Sequence, residues 1–122
     1  MKYWLPAIFW AILIFLVSSI PSLKVTNDSA LQNLINNTGH FIEYAIFTYL
    51  LFRPLFFYHH LHGFKLYSLN YSLVLLYAAS DEFHQHFVPG RMMDPHDFLF
   101  DALGSLLVLL FVQKWQFQRK KS

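Results

Sequence analysis

Apolar residues along the chain gather into four runs, separated by short polar stretches. The runs cover about Tyr3–Ile20, His40–Phe57, Leu66–Phe83 and Phe98–Trp115, each at or near the roughly 20 residues that a helix needs to cross a hydrocarbon core. The pattern predicts an all-α polytopic membrane protein: a compact bundle of four transmembrane helices forming one domain over residues 1–122. No repeat, low-complexity tract or second soluble domain interrupts it. Between the first two helices, Asn27 and Asp28 are placed to cap a short turn whose Leu31, Leu34 and Ile35 rest on the bilayer. His59–Lys65 is a short connection turning at Gly63.

Composition supports the membrane reading. Hydrophobic residues make up 56% of the chain and charged residues 13%, against about 25% charged in a soluble domain. Fourteen Phe, seven Tyr and three Trp suit a lipid-facing surface with aromatic ends. The first run, preceded by Lys2 and followed by Ser18 and Ser19, has the outline of a signal peptide. Its length, Pro21 beside the would-be cleavage point and the three spans that follow favour a retained helix. The absence of cysteine excludes disulfides, thiolate chemistry and Cys-based zinc sites.

Charge then orients the bundle. With both termini in the cytoplasm, Lys2, Arg53, Lys65, Lys114, Arg119, Lys120 and Lys121 fall inside, leaving only Lys24 and Arg91 outside. All seven acids fall in an outer loop or within about two turns of an outer helix end. The positive-inside rule places no such demand on acids, so the outer face is where polar chemistry is expected. The Asn-x-Ser/Thr matches at Asn27, Asn36 and Asn70 carry little weight, since the pattern is common and Asn70 falls inside a span.

Ser80–Asp101 concentrates that chemistry, and ionisable groups at membrane depth are functional by default. On the second helix His40, Glu43 and Tyr44 share a face. On the third, Asp81, His84 and Gln85 share one face and Glu82 and His86 an adjacent one, so one set is expected to face inward and the other the rim. Ala78, Ala79 and Ser80 just before them permit close helix approach. Val88-Pro89-Gly90-Arg91 reads as a turn that puts Arg91 on a constrained corner, its planar fork suited to carboxylate or phosphate. Asp94, Pro95 and Asp97 read as the start of the fourth helix, with His96 solvated. Asp101 lies a turn deeper than a cap requires, and Gly104 and Ser105 continue its face as a close-packing surface. A structural network of Glu43 with His40, and of Arg91 with Asp81 or Glu82, accounts for the same residues without function. His59, His60 and His62 follow no metal-ligand spacing.

Taken in order, Ser18-Ser19-x-Pro21, His40-x-x-x-Tyr44, the Asp81-Glu82-x-His84-Gln85-x-Phe87-Val88-Pro89-Gly90-Arg91 block and an Asp-opened fourth helix with a Gly resemble the VanZ-like family of small bacterial membrane proteins. The resemblance spans most of the chain and implies a four-helix membrane protein, of a family named from teicoplanin resistance. Two positions depart from the family pattern. Asn36, Asn37, Thr38 and Gly39 stand where the family often has a Lys, and Asp101 where it commonly has Asn.

Three functions follow as expectations. The first is an outer-leaflet site in the bacterial cytoplasmic membrane that binds or modifies a phosphate-bearing lipid or lipid-linked envelope precursor. Arg91 holds the phosphate with Gln85, Tyr44 and Asp101 beside it. Asp81 or Glu82 acts as general acid or base, and His84, His40 and Glu43 move protons or orient the headgroup. The second is a non-enzymatic packing or partner protein with a salt-bridged lock. The third is a metalloenzyme holding a divalent metal on His40, Glu43, Asp81, His84 and Asp101, although the paired Glu-x-x-His motifs of di-metal bundles are missing. No resident cofactor and no nucleic-acid partner is expected, and an oligomer is compatible with the sequence.

Overall fold

The computed structural model describes residues 1–21 and 24–121; Ser22 and Leu23, within the expected outer stretch Pro21–Gly39, and Ser122 lie outside the described residues. It contains α1 (Leu5–Ser18), α2 (Ser29–Phe57), α3 (Gly63–Gln85) and α4 (Pro95–Arg119), with no strand among the described residues. Each helix takes up one of the four apolar runs.

The largest departure is at the start of α2, which begins at Ser29 rather than near His40. The Asp28 side chain accepts the N–H groups of Ala30 and Leu31, capping a helix that runs on without a break. No proline stands between Ser29 and His40, and Gly39 costs a helix interior only about 1 kcal/mol. The expected short turn is therefore the first part of a 29-residue helix. Gln32 Oε1 ties the incoming chain to it by accepting from Val25 N (2.8 Å) and Thr26 N (3.2 Å).

The other boundaries follow the turn chemistry of the sequence. Arg91 N donates to Val88 O at 3.1 Å, and Gly90 has φ +76°, so Pro89-Gly90 form the centre of a type II turn. Asp94 caps α4 by accepting from His96 N at 2.9 Å, with Pro95 in the first helical turn. That same backbone N–H holds the exposed Asp94 carboxyl below the ordinary carboxylate range.

Successive helices alternate in direction. The C-terminal ends of α1 and α3 meet the N-terminal halves of α2 and α4 at one end of the bundle, joined by Ser19–His84 and His40–Asp101 contacts. At the opposite end Tyr3 stacks on Phe57 and Tyr67 donates to Gln116. The acids gather at the first end and most cations at the second. α2 and α4 make the most extensive contact. Gly104 is the reason: a Cβ there would collide with the backbone carbonyl of Phe41. α3 is pinned to α2 by Asn70 Nδ2 donating to Thr48 O at 3.2 Å, and α1 is held by Trp10 Nε1 donating to Glu43 O and Tyr77 OH donating to Ala11 O. Of the small residues before Asp81, only Ala78 is buried; Ala79 and Ser80 face outward.

The core joins Tyr44, Phe47, Leu51 and Leu55 of α2 to Ile14, Leu66, Val74 and Val112. It also encloses Thr48, Asn70, Asp101 and Ser105, each fully buried. The outside is apolar by contrast: Phe9 is 67% exposed, Leu76 68% and Phe111 71%. Among the described residues one helix, α4, is long and apolar enough by itself to cross a membrane, and α1 is a shorter apolar helix.

The two interior glycines of the helices predict opposite outcomes. Gly104→Ala meets a backbone carbonyl that no side-chain rotation can clear, and is expected to cost at least about 1–3 kcal/mol. Gly39 has open space around its Cβ position, so Gly39→Ala is expected to stabilise by roughly 0.5–1 kcal/mol. Thermal unfolding of the purified variants in detergent checks both signs.

Candidate functional site

The close α2–α4 contact decides what sits beside it. Asp101 lies one turn before Gly104 on α4, and His40 lies one residue before Phe41 on α2. Bringing Gly104 onto Phe41 therefore brings Asp101 onto His40: Nδ1 and Oδ1 are 2.9 Å apart, with Asp101 fully buried. Asp97, one turn earlier, places Oδ2 3.5 Å from His40 Nε2. The imidazole thus has a carboxylate beside each ring nitrogen. Ser105 Oγ donates to Asp101 O at 2.7 Å.

α3 contributes a second polar group. Asp81 Oδ2 accepts from Tyr44 OH at 3.4 Å and from Gln85 Nε2 at 3.3 Å. Glu82 Oε2 accepts from Asp94 N at 3.2 Å, which ties the end of α3 to the start of α4. Asp81, Glu82 and Gln85 are all buried. The expectation that one of two adjacent faces points inward is corrected here. The inward set draws on both faces, and His84 leaves it. Its Nε2 lies 2.9 Å from Ser19 Oγ and its ring packs on Phe15, so it belongs to the α1–α3 contact. The physical reason is the position of α1, which covers that flank of α3. His86 and His96 are exposed, as rim residues should be.

Among the described residues Arg91 does not make the salt bridge with Asp81 or Glu82 that the structural alternative called for. Its Nε donates to Ile20 O at 3.0 Å and a terminal guanidinium nitrogen donates to Val17 O at 3.3 Å. Both carbonyls lie at the C-terminal end of α1, that of Val17 also accepting from Ile20 N at 3.1 Å. The turn at Pro89-Gly90 aims the guanidinium at that helix end, so the arginine clasps α1 and leaves its remaining N–H groups for other partners.

Together these elements enclose an open cavity of about 910 Å³ at the acid-rich end of the bundle. His40, Glu43, Asp81, Gln85 and Arg91 line it, with Lys24 and Asp97. Tyr44, Glu82 and Asp101 stand behind the wall and His84 stands apart. Sequence reasoning missed the part of the wall made by Gln32, Asn36 and their neighbours. The signal was present: Gln32, Asn36 and His40 recur at every fourth position and Glu43 follows three later, one polar stripe on a continuous helix. Reading residues 29–39 as a separate turn hid it.

The metal-ligand set differs from the expected one as well. Among the described residues, His40, Glu82 and Asp101 bring donor atoms within 4.8 Å of one another, whereas His84 is turned away. Glu82 Oε1 and Asp101 Oδ2 are buried without a hydrogen-bond partner.

A family model described as VanZ/LLP1 matches residues 3–116, which takes in α1 to α3, most of α4 and every residue of the cavity. The chain belongs to the VanZ/LLP1 family. No curated protein matches it, and no solved structure does. For this VanZ/LLP1 protein, the Asp81–Arg91 block is thus a single construction: two acids facing the bundle, a glycine turn and an arginine returned to α1.

The His40–Asp101 pair gives a quantitative expectation. A double-mutant cycle between His40→Ala and Asp101→Ala should return a coupling energy on the order of 1–3 kcal/mol. The cycle between His84→Ala and Asp101→Ala, which share no partner, should close to within about 0.5 kcal/mol. Unfolding of the single and double variants in detergent measures both.

Proposed function

We propose that this VanZ/LLP1 protein is a four-span protein of the bacterial cytoplasmic membrane, with both termini inside, whose extracytoplasmic cavity receives the headgroup of a phosphate-bearing lipid or lipid-linked envelope precursor. The observation that carries this reading is the pairing of an apolar exterior with an open, polar cavity at one end of the bundle. A membrane solvent favours that inversion, because exposed Phe and Leu cost nothing in lipid, and buried polar groups there line a water-filled site or pair with one another. The sidedness of Lys and Arg supplies the orientation.

Within the cavity, Lys24 and Arg91 are the cations for a phosphate, Arg91 with the N–H groups that α1 does not use. Glu43 and Asp81 line the same space and are the carboxyl groups able to give or take a proton there. His40 lines it too, steadied by Asp97 and Asp101. Glu82 and His84 do not line the cavity, so the acid–base and shuttle roles expected of them pass to Glu43, Asp81 and His40. The link to teicoplanin resistance belongs to this proposal, since a protein that sequesters or alters an envelope precursor changes what a glycopeptide meets.

A second reading has its own support. The His40–Asp101 contact and the Arg91 clasp on α1 are the connections that a purely structural lock would use. It predicts that Arg91→Ala lowers stability and leaves lipid content unchanged.

The deciding experiment is to purify the protein with native lipid, quantify bound polyprenyl phosphate and phospholipid by mass spectrometry, and measure binding. Arg91→Ala and Glu43→Gln are expected to fold, and Arg91→Ala to weaken phosphate-lipid binding by about 10–100-fold, the worth of a charge-assisted hydrogen bond. Unchanged lipid binding in a folded Arg91→Ala protein rejects the proposal and leaves the structural lock.

A further inference from the structure

We propose that His40, Glu82 and Asp101 form a binding site for one divalent transition-metal cation, at the floor of the polar cavity. The three side chains come from α2, α3 and α4, and one donor atom of each lies within 4.8 Å of the other two. Donors around a bound cation at about 2.0–2.3 Å stand roughly 3–4.5 Å apart, so the three groups need only a small inward movement.

The independent sign is in the oxygens. Glu82 and Asp101 are 5% and 0% exposed, and Oε1 of one and Oδ2 of the other have no hydrogen-bond partner among the described residues. Each carboxylate has its second oxygen occupied: Glu82 Oε2 takes the Asp94 N–H, and Asp101 Oδ1 faces His40 Nδ1. Half of each group is thus oriented by the protein and half is free in a buried place, which is costly without a counter-charge. Arg91 does not supply that charge to either group, since it donates to Ile20 and Val17 carbonyls. A divalent cation held by the two carboxylates supplies the missing counter-charge.

His40 fits the same role. Asp101 lies beside Nδ1 and Asp97 beside Nε2, so whichever nitrogen binds the metal, the other keeps a carboxylate partner. That arrangement fixes the ring and raises its basicity as a ligand. One imidazole with two carboxylates suits Mn²⁺ or Zn²⁺, and three protein ligands leave coordination positions open. His40 is the member of the set that lines the cavity, so the open side faces it. The site stands on this geometry alone. Its use rests on the reading above: a cation on the floor gives an otherwise acid-rich cavity a positive centre for a phosphate oxygen.

The test uses the full chain, purified in detergent without a His tag and stripped with chelator. The protein is titrated with Mn²⁺ and with Zn²⁺, and metal retained after desalting is read by elemental analysis. About one metal per chain is expected, with a metal-dependent rise in the unfolding temperature. Asp101→Asn and Glu82→Gln, which keep the side-chain shape, should each weaken binding by at least about 10-fold, and His84→Gln should not. Failure of the folded wild-type protein to take up either cation overturns the proposal, and so does binding that survives in both acid variants. Should those variants fail to fold, electron spin-echo modulation of the Mn²⁺-loaded wild-type protein decides. A single imidazole nitrogen is expected, and none overturns the site. Polyprenyl phosphate binding is scored in the same samples with and without metal. Protein that binds metal but no phosphate lipid supports the site and removes only the phosphate reading.

Discussion

At Gly104 the backbone of α4 rests on the backbone of α2, and the polar end of the molecule follows from that contact. A methyl group there would push the two helices apart at the carbonyl of Phe41. With glycine, the register is fixed, Asp101 falls against His40 one turn away, and Asp97 falls on the other side of the same ring. Ser105, next to the glycine, turns its hydroxyl back to its own helix and leaves the seam free for packing. α3 then joins this pair through Tyr44–Asp81 and through Glu82, whose oxygen accepts from the backbone where α4 begins.

The price of such an interior is desolvation. Thr48, Asn70, Asp81, Glu82, Gln85, Asp101 and Ser105 are buried in a chain whose outer faces are mainly apolar. Most of these groups are partnered to a neighbouring helix or to their own backbone, in the way that polar residues join helices where lipid offers no hydrophobic driving force between them. The exceptions are single oxygens of Glu82, Asp101 and Asn70. Two of the three belong to residues whose donor atoms gather with that of His40 between α2, α3 and α4, and that coincidence separates an assembled site from scattered imperfections of packing.

The elements whose signals are local were legible in the sequence. The Pro89-Gly90 turn, the Asp94 cap and the small face of Gly104 and Ser105 each follow from residue types at fixed spacing, and the structure has them where those residues lie. The four apolar runs mark the four helices for the same reason. What was not legible depends on which neighbour covers a helix. His84 shares a face with Asp81 and Gln85 by spacing alone, yet α1 packs over it and takes it out of the cavity. Arg91 sits among acids in sequence and bonds to carbonyls in space, because the turn aims it across to α1. The start of α2 was hidden by its polarity: Asn33, Asn36 and Asn37 read as loop residues until the continuous helix turns them into a wall.

The helices differ greatly in length, and in the proposed membrane setting that difference decides how far each one stands above the hydrocarbon core. At 1.5 Å per residue, the 29 residues of α2 extend about 44 Å, the full thickness of a bilayer with its headgroups. The 14 residues of α1 extend about 21 Å, short of the hydrocarbon core alone. The extra length of α2 is its polar first turns, where Gln32, Asn33, Asn36 and Asn37 belong at headgroup level, whereas α1 stops at Ser18. In that setting the cavity has a high wall on α2 and a low one over the end of α1, beside Arg91 and Ser19, and the low side is where a headgroup would cross with its tails still in the leaflet.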